Sequence, residues 1–319
     1  MMAEAQGDDD EIFVYMGGRQ QVPHGVRRAR IHKSVKIVPV RAFLSRTQLY
    51  YVEFHDGVEI IEEWAFHGCI SLRGAIRLLG VKIIKASAFC NCNSLTDVEF
   101  GNKLESIESH AFNACSSLRK IRIPSVRTVG KWVFAWCDEL SDVEFGEGLI
   151  ARQEKTFLGC LKLKRVALPM KSGLIGQLVF SACEQLTTVD LVGGIHQTVA
   201  SLHMESWRSE MTGEINRINQ TLPTITVGKT ETIQRWMEST IRQLDHYKSE
   251  HHKILKEATV LLELALWKAN LGDNEGGQLK REGVRTTRGS RKRARKEICV
   301  TSGASIVIKN VLPYLQLLD

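Results

Sequence analysis

Eight cysteines, ten histidines and one Gly-Lys-Thr step are the residues of this 319-residue chain that could ligate a metal, attack a substrate or hold a phosphate. Spacing decides which of these is open to them. Cys69, Cys92, Cys115, Cys137, Cys160 and Cys183 recur at intervals of 23, 23, 22, 23 and 23, which is the period of a repeat and not of a Cys-x-x-Cys zinc site. Cys90 and Cys92 form the one close pair, with no second pair to complete a metal shell. Gly228-Lys229-Thr230 resembles the end of a phosphate-binding loop, but Pro223 stands where that loop needs glycine, and no strand precedes it. His251 and His252 lack the H-E-x-x-H spacing of a zinc protease. The chain therefore reads as a non-enzyme, without metal or cofactor.

What must position the cysteines is a repeat. Phe43, Phe66, Phe89, Phe112, Phe134, Phe157 and Phe180 keep the same period, and six residues after each comes Leu49, Leu72, Leu95, Leu118, Leu140, Leu163 or Leu186. Each leucine opens a short alternating run, such as Leu95-Thr96-Asp97-Val98-Glu99-Phe100, and a period of two means strand. A unit this short cannot bury its own apolar face, so units must stack, with Phe, Cys, Leu and the inward strand residues in continuous columns. The cysteine column then reads as small apolar filling.

The unit I-x-x-x-A-F-x-x-C-x-x-L-x-x-V/I-x-F/I, complete from Ile107 to Ile123 and in its first part from Ile61 to Leu72, resembles the BspA-type subclass of leucine-rich repeats. The resemblance covers about half the chain. It implies an α/β leucine-rich-repeat solenoid, with parallel strands and short convex helical turns, and helical spacing beyond it adds an α-helical C-terminal region. It also implies a scaffold for protein contact, although many members are extracellular. Departures are Arg77 at a strand position that should be apolar, Arg152 in place of Ile before Phe157, and Arg46 in place of the first Cys. The expected organisation is an N-terminal cap at 12–40, about seven repeats at 41–200, a helical hairpin at 202–268, a basic linker at 269–297 and a docked segment at 298–319.

Alternation along each strand predicts which residues face solvent. The outward pairs are Tyr51 and Glu53, Gly74 and Ile76, Asp97 and Glu99, Lys120 and Arg122, Asp142 and Glu144, Arg165 and Ala167, Thr188 and Asp190. From the third pair onward the sign alternates. Such a face is either a ladder that satisfies itself or a patterned surface for a partner of complementary sign, and its acidic rows interrupt the continuous positive stripe that a nucleic acid needs. Trp132 and Trp136 flank Phe134, and if that half-turn is helical, two indoles form one exposed patch. The alternative is that they cover the shorter repeat following Phe112.

After Ala200 helical spacing takes over. Trp207, Met211, Ile215, Ile218 and Leu222 predict a helix from Leu202 to Thr221 that ends at Pro223. A second helix runs from Thr230 to about Lys268, with coiled-coil-like spacing that Thr240 and His251 interrupt. It is too long for the first to cover. The last repeat, the tail Ile306 to Leu318, or a second copy must cover the rest, and the repeats are expected to fold and stay monomeric without Leu202 to Asp319.

The net charge of +7 is concentrated between Leu271 and Glu297, where nine basic residues meet four acidic ones. Within the basic stretch 280–296, Arg291, Lys292, Arg293, Arg295 and Lys296 form a cluster that reads as a nuclear import signal, a phosphate contact or a solvated linker. No apolar run is long enough to span a membrane, and the acidic start, Glu4 and Asp8 to Asp10, does not resemble a signal peptide. The sequence thus favours an intracellular, cytoplasmic or nuclear, protein-binding scaffold with a homodimer through its helices. A nuclear or nucleic-acid-associated factor, acting through the basic segment alone, is the second reading.

Overall fold

Between Thr96 and Phe100, Val98 is buried while its neighbours Asp97 and Glu99 are exposed, the alternation of a strand with one solvated face. The computed structural model describes residues 11–150 and 154–275, with side chains through Lys268. In chain order its strands are β1 (Ile12–Tyr15), β2 (Arg28–Ile31), β3 (Ile37–Val38), β4 (Tyr51–Glu53), β5 (Ile60–Ile61), β6 (Gly74–Leu78), β7 (Ile83–Ile84), β8 (Leu95–Phe100), β9 (Ser106–Ile107), β10 (Lys120–Ile123), β11 (Thr128–Val129), β12 (Asp142–Phe145), β13 (Arg165–Pro169) and β14 (Thr188–Val192). All pair in parallel. One sheet runs β14-β13-β12-β10-β8-β6, a smaller one β1-β2-β4, and a third, of two-residue strands, β11-β9-β7-β5-β3. The third sheet comes from the Ile or Val four residues before each Ala-Phe or Val-Phe step, a position that shows in the repeat motif but is too short there to reveal an alternation.

The remaining side of the solenoid holds the Phe and Cys columns. Among the described residues it contains no helix; each repeat makes consecutive tight turns in which the residues two before and two after Phe are left-handed, such as His110 (φ 59) and Ala114 (φ 57) around Phe112. This backbone has a purpose. The amides of Phe112 and of those two neighbours donate to carbonyls of the next repeat, those of Val133, Lys131 and Ala135, at 2.8–3.0 Å, while the amides between them close turns within their own repeat. The same ladder joins Phe43 to Phe66 and onward to Phe180. Inside it the Phe rings stack face to face, with centroids 4.7–5.8 Å apart. Each fully buried ring contributes about 1.5–3 kcal/mol by burial and a stacked neighbour about 0.5–1.5 kcal/mol more.

Arg77 corrects the sequence register. Gly74 adopts φ 79 and the β6–β8 register shifts between Gly74 and Ala75, so Ala75 and Arg77 face out and Ile76 and Leu78 face in. The extra residue moves each side chain by one position, which turns strand residues to the opposite face. Ile76, expected outside, is 2% exposed. Ala167 does lie in the outward register, yet it is fully buried, a methyl between the longer Glu144 and Asp190. The shortened repeat loses its residue at the corner Pro124 to Val126, where the Ser125 hydroxyl bonds the Leu104 carbonyl at 2.9 Å, and not at the turn that carries the tryptophans. Arg152 lies outside the described residues.

Helices α1 (Ile195–Ala200), α2 (Glu205–Thr221) and α3 (Lys229–Glu275) follow, with a 3-10 turn at Leu222–Thr224 around Pro223. The chain divides into two compact units: one of residues to Val199 together with Ser209–Gln243, the other of Ala200–Arg208 together with residues from Leu244. In the first, Ile218, Leu222, Ile233, Trp236 and Met237 belong to the same core as the repeats. Removing Leu202 to Asp319 would open this core to water, which argues against the repeats folding without those residues.

Both ends of the stack are closed by polar side chains. At the first repeat, Arg46 stands where later repeats have Cys and donates to the Val22 carbonyl at 2.8 and 3.0 Å, while Tyr15 meets Phe43 edge-on. At the last, the Phe180 amide has no following repeat and donates to Thr230 Oγ1 at 2.9 Å. The β14 amide of Val189 donates to Asn219 Oδ1, and the Lys229 ammonium to the carbonyls of Glu184 and Leu186 at 2.6 and 2.7 Å. Lys229 and Thr230, which resemble the end of a phosphate loop, are the closing residues of the solenoid. Burial holds the Lys229 ammonium pKa below its ordinary value.

Candidate interaction surface

On the strand side, register brings opposite charges together. Arg30 pairs with Glu53 at 2.6 Å, Arg77 with Glu99 at 2.9 Å and Arg122 with Glu144 at 3.7 Å. Arg165 bridges Asp142 at 3.0 Å and Asp190 at 2.5 Å. Burial works against the Arg165 charge, but the hydrogen bonds and charges of its two aspartates outweigh it and hold the pKa above the ordinary guanidinium value. Lys120 stands between Asp97 and Asp142 in register. Exposed pairs like these stabilise by about 0–1 kcal/mol each. The face is thus largely neutralised by its own neighbours.

Further ion pairs lie outside the predicted strand pairs. Lys82–Glu59, Lys85–Glu108, Lys131–Glu154 and Lys162–Glu139 close at 2.6–2.9 Å. Each pair joins equivalent positions of adjacent repeats, so opposite charges at the repeat interval were the available signal.

The turn side is different. Arg41, Trp64, Ser87, His110, Trp132, Lys155 and Leu178 form one column there, and Ser45, Gly68, Asn91, Ala114, Trp136, Gly159 and Ala182 a second, all with positive φ. Trp132 and Trp136 fall in separate columns of a turn that is not helical, so the condition for a shared helical face is not met. Trp132 is held between the His110 ring, at 5.9 Å and nearly parallel, and the Lys155 ammonium, 4.7 Å from its centroid. Arg41 lies over Trp64 at 5.8 Å. Trp136 is 50% exposed, and its indole lies over the next repeat: a Cβ at Gly159 would sit 2.5 Å from its ring. Gly159 is what allows the ring to lie there.

Beneath this surface each column cysteine donates its S–H to the Phe carbonyl of the preceding repeat, from Cys69 to Phe43 at 3.1 Å through Cys183 to Phe157 at 3.0 Å. Burial pushes the thiols of Cys69 and Cys183 up to about 12 and that of Cys90 to about 11. Such thiols are poor nucleophiles and poor ligands, because both roles need the thiolate.

In the second unit, Trp207 stacks on Tyr247 at 5.1 Å, and the His203 amide donates to His251 Nδ1 at 2.8 Å. Burial, with His203 and His252 nearby, holds the His251 pKa below its ordinary value. Farther along α3, Val260, Leu261, Leu262, Leu264, Leu266 and Trp267 are all exposed, Leu261 and Trp267 at 67% and 69%. No helix among the described residues is long and apolar enough to cross a membrane. The basic cluster Arg291, Lys292, Arg293, Arg295 and Lys296, and the tail Ile306 to Leu318, lie outside the described residues.

A family model described as "BspA type Leucine rich repeat region" matches residues 25–126 and 120–206, in six copies. Among solved structures the chain is similar to the T. pallidum leucine rich repeat protein, with 26% identity over 46% of this chain and 78% of that one, at a TM-score of 0.39. It is also similar to a leucine-rich repeat protein from Bacteroides ovatus (20% identity, 52% and 61% coverage, TM-score 0.34) and to the pneumococcal vaccine antigen PcpA (18%, 58% and 67%, TM-score 0.32). No curated protein sequence matches it. The period, the stacked Phe and Cys columns and the family match over more than half of its length together make this chain a member of the BspA-type leucine-rich-repeat family.

Proposed function

We propose that the chain is a non-catalytic scaffold that binds a protein partner through the turn side of its repeats. The observation that carries this is Trp136 over Gly159. Left-handed backbone costs a residue with a Cβ about 1–2 kcal/mol, which glycine escapes. Here tryptophan holds that position, half exposed, and glycine has been placed in the next repeat to seat its ring. Packing on the next repeat leaves half of this indole in solvent, and tryptophan is enriched among the residues that carry protein interfaces. The strand side, whose charges pair among themselves, offers a partner less.

The test uses the full chain, its Trp136→Ser variant and its Glu99→Lys variant as baits. A protein retained by the parent and by Glu99→Lys but lost from Trp136→Ser supports the turn side. Equal retention by all three refutes it, and the reverse pattern moves the site to the strand face.

Self-association through α3 is part of the same reading, supported by the apolar stretch from Val260 to Trp267. Sedimentation across concentration checks it, and a monomer up to high micromolar concentration counts against it. An intracellular location is supported by the cysteine ladder, which needs each sulfur to keep its proton. The second reading, a nuclear or nucleic-acid-associated factor, rests on Arg291 to Lys296. A reporter fused to residues 271–297, with a salt series on any nucleic-acid binding, tests it.

A further inference from the structure

Between α2 and the first turns of α3 lies a cleft of about 390 Å³ within the first unit. Its floor is apolar: Ile218 and Trp236 are buried, and the Trp236 indole N–H is fixed to the Glu214 carbonyl at 2.8 Å. Its walls are cationic. Arg217 reaches in from α2, and Arg235 and Arg242 from α3, where Thr232, Arg235, Ser239 and Arg242 follow steps of three and four residues and so share one face.

The acidic groups near the cleft leave two of these charges unmatched. Glu214 takes Arg217, at 2.6 Å. Glu238 lines the cleft, but its carboxylate accepts from Gln234 at 3.1 Å. Arg235 and Arg242 each direct only their Nε, to the Glu231 and Glu238 backbone carbonyls at 3.3 Å, and among the described residues neither forms an ion pair. The hydroxyls of Thr232 and Ser239 beside them have no hydrogen-bond partner among the described residues either. Glu231 and Glu238 stand four residues before Arg235 and Arg242, at a spacing that allows pairing, yet neither guanidinium closes an ion pair with them, so both stay open to an anion.

We propose that this cleft binds a phosphate group, either as the free ion or as a small phosphate monoester. Two unpaired guanidiniums and two uncommitted hydroxyls supply more donors than the two oxygens of a carboxylate can accept, while the three terminal oxygens of a phosphate dianion can take a bond from each of these four groups. The planar guanidinium fork matches its geometry. The volume leaves room for a substituent on the phosphate. Because α2 and α3 also close the last repeat, through Asn219 and Thr230, a ligand that bridges them stabilises the folded chain by mass action. This site is independent of the turn side and of any protein bound there.

The experiment uses the full chain at fixed ionic strength, titrated with inorganic phosphate and separately with O-phosphoserine, against sodium chloride as the control. Thermal unfolding and calorimetric titration are both read. Saturable binding and a rise in Tm are expected with at least one phosphate probe, and the tighter of the two identifies ion or ester as the ligand. The double variant Arg235→Gln/Arg242→Gln, at exposed positions, should keep the parent Tm in chloride and lose at least tenfold in affinity, whereas Arg119→Gln, on a repeat, should bind as the parent does. Equal binding by the double variant, or a response that chloride reproduces, overturns the proposal.

Discussion

Replacing Thr230 by valine keeps the size of the side chain and removes its oxygen. Thr230 is 3% exposed, and its Oγ1 accepts the Phe180 amide at 2.9 Å, where every earlier repeat would offer the backbone carbonyl of its successor. Without that oxygen a buried N–H is left unpaired, at a cost of about 1–3 kcal/mol. Serine at the same position keeps the acceptor and loses one methyl group, about 0.8 kcal/mol. Thr230→Val should therefore be the more destabilised of the two, although valine is the more apolar; an argument from hydrophobicity alone gives the opposite order. Urea unfolding of both variants, with m unchanged, supplies the comparison. Native-state exchange of the Phe180 amide should rise about tenfold in Thr230→Val for each 1.4 kcal/mol lost, and should change less in Thr230→Ser. If valine is as stable as serine, or if that amide exchanges at its parental rate, Thr230 does not close the ladder.

Phe112→Ala removes one ring from the middle of the stack and should cost about 3–5 kcal/mol by urea denaturation, with an unshifted midpoint contradicting the column. Gly159→Ala forces a Cβ to within 2.5 Å of the Trp136 ring at φ 75, so it should destabilise by about 1–2 kcal/mol and shift tryptophan emission; unchanged fluorescence would place that ring elsewhere. The thiols of Cys69 and Cys183 are pushed by burial from 9.0 to about 12, so the unfolded chain releases their protons first. Their contribution is complete below about pH 9 and disappears as pH rises toward 12, and the urea midpoint should fall less steeply over that window in Cys69→Val/Cys183→Val than in the parent.

The repeat and its strands were legible because their signal is carried by side-chain type at a fixed interval: Phe112, Cys115 and Leu118 announce their positions. What stayed hidden was encoded in backbone conformation or in distant pairing. Gly74 inserts one residue, and nothing in residue types alone says whether the bulge falls before or after Ala75, so Arg77 looked like a defect when it was the partner of Glu99. The left-handed turns use Trp, His, Lys and Leu where glycine would have marked the conformation, and so His110 and Lys155 gave no warning that the half-turn was not helical. Lys229 and Thr230 lie 45 and 50 residues from the groups they close, beyond any local pattern. Of the surface, the alternating charges of β8, β10 and β12 were readable in advance, whereas the seat that Gly159 provides for Trp136 depends on knowing which turns are neighbours.

The inter-repeat ladder on the turn side has a direction. Each repeat offers three amides to its successor and three carbonyls to its predecessor, so any repeat of the same kind fits between any other two. The chain can therefore lengthen or shorten by whole repeats while Arg46 and Tyr15 at one end, and Asn219, Lys229 and Thr230 at the other, keep the partners they have now. Gene-level duplication of a middle unit would change the reach of the surface and the spacing of its tryptophans without requiring a new solution at either terminus. A duplication that included the last unit would instead leave one copy of Phe180 inside the stack, donating to backbone, and one at the end, still waiting for Thr230.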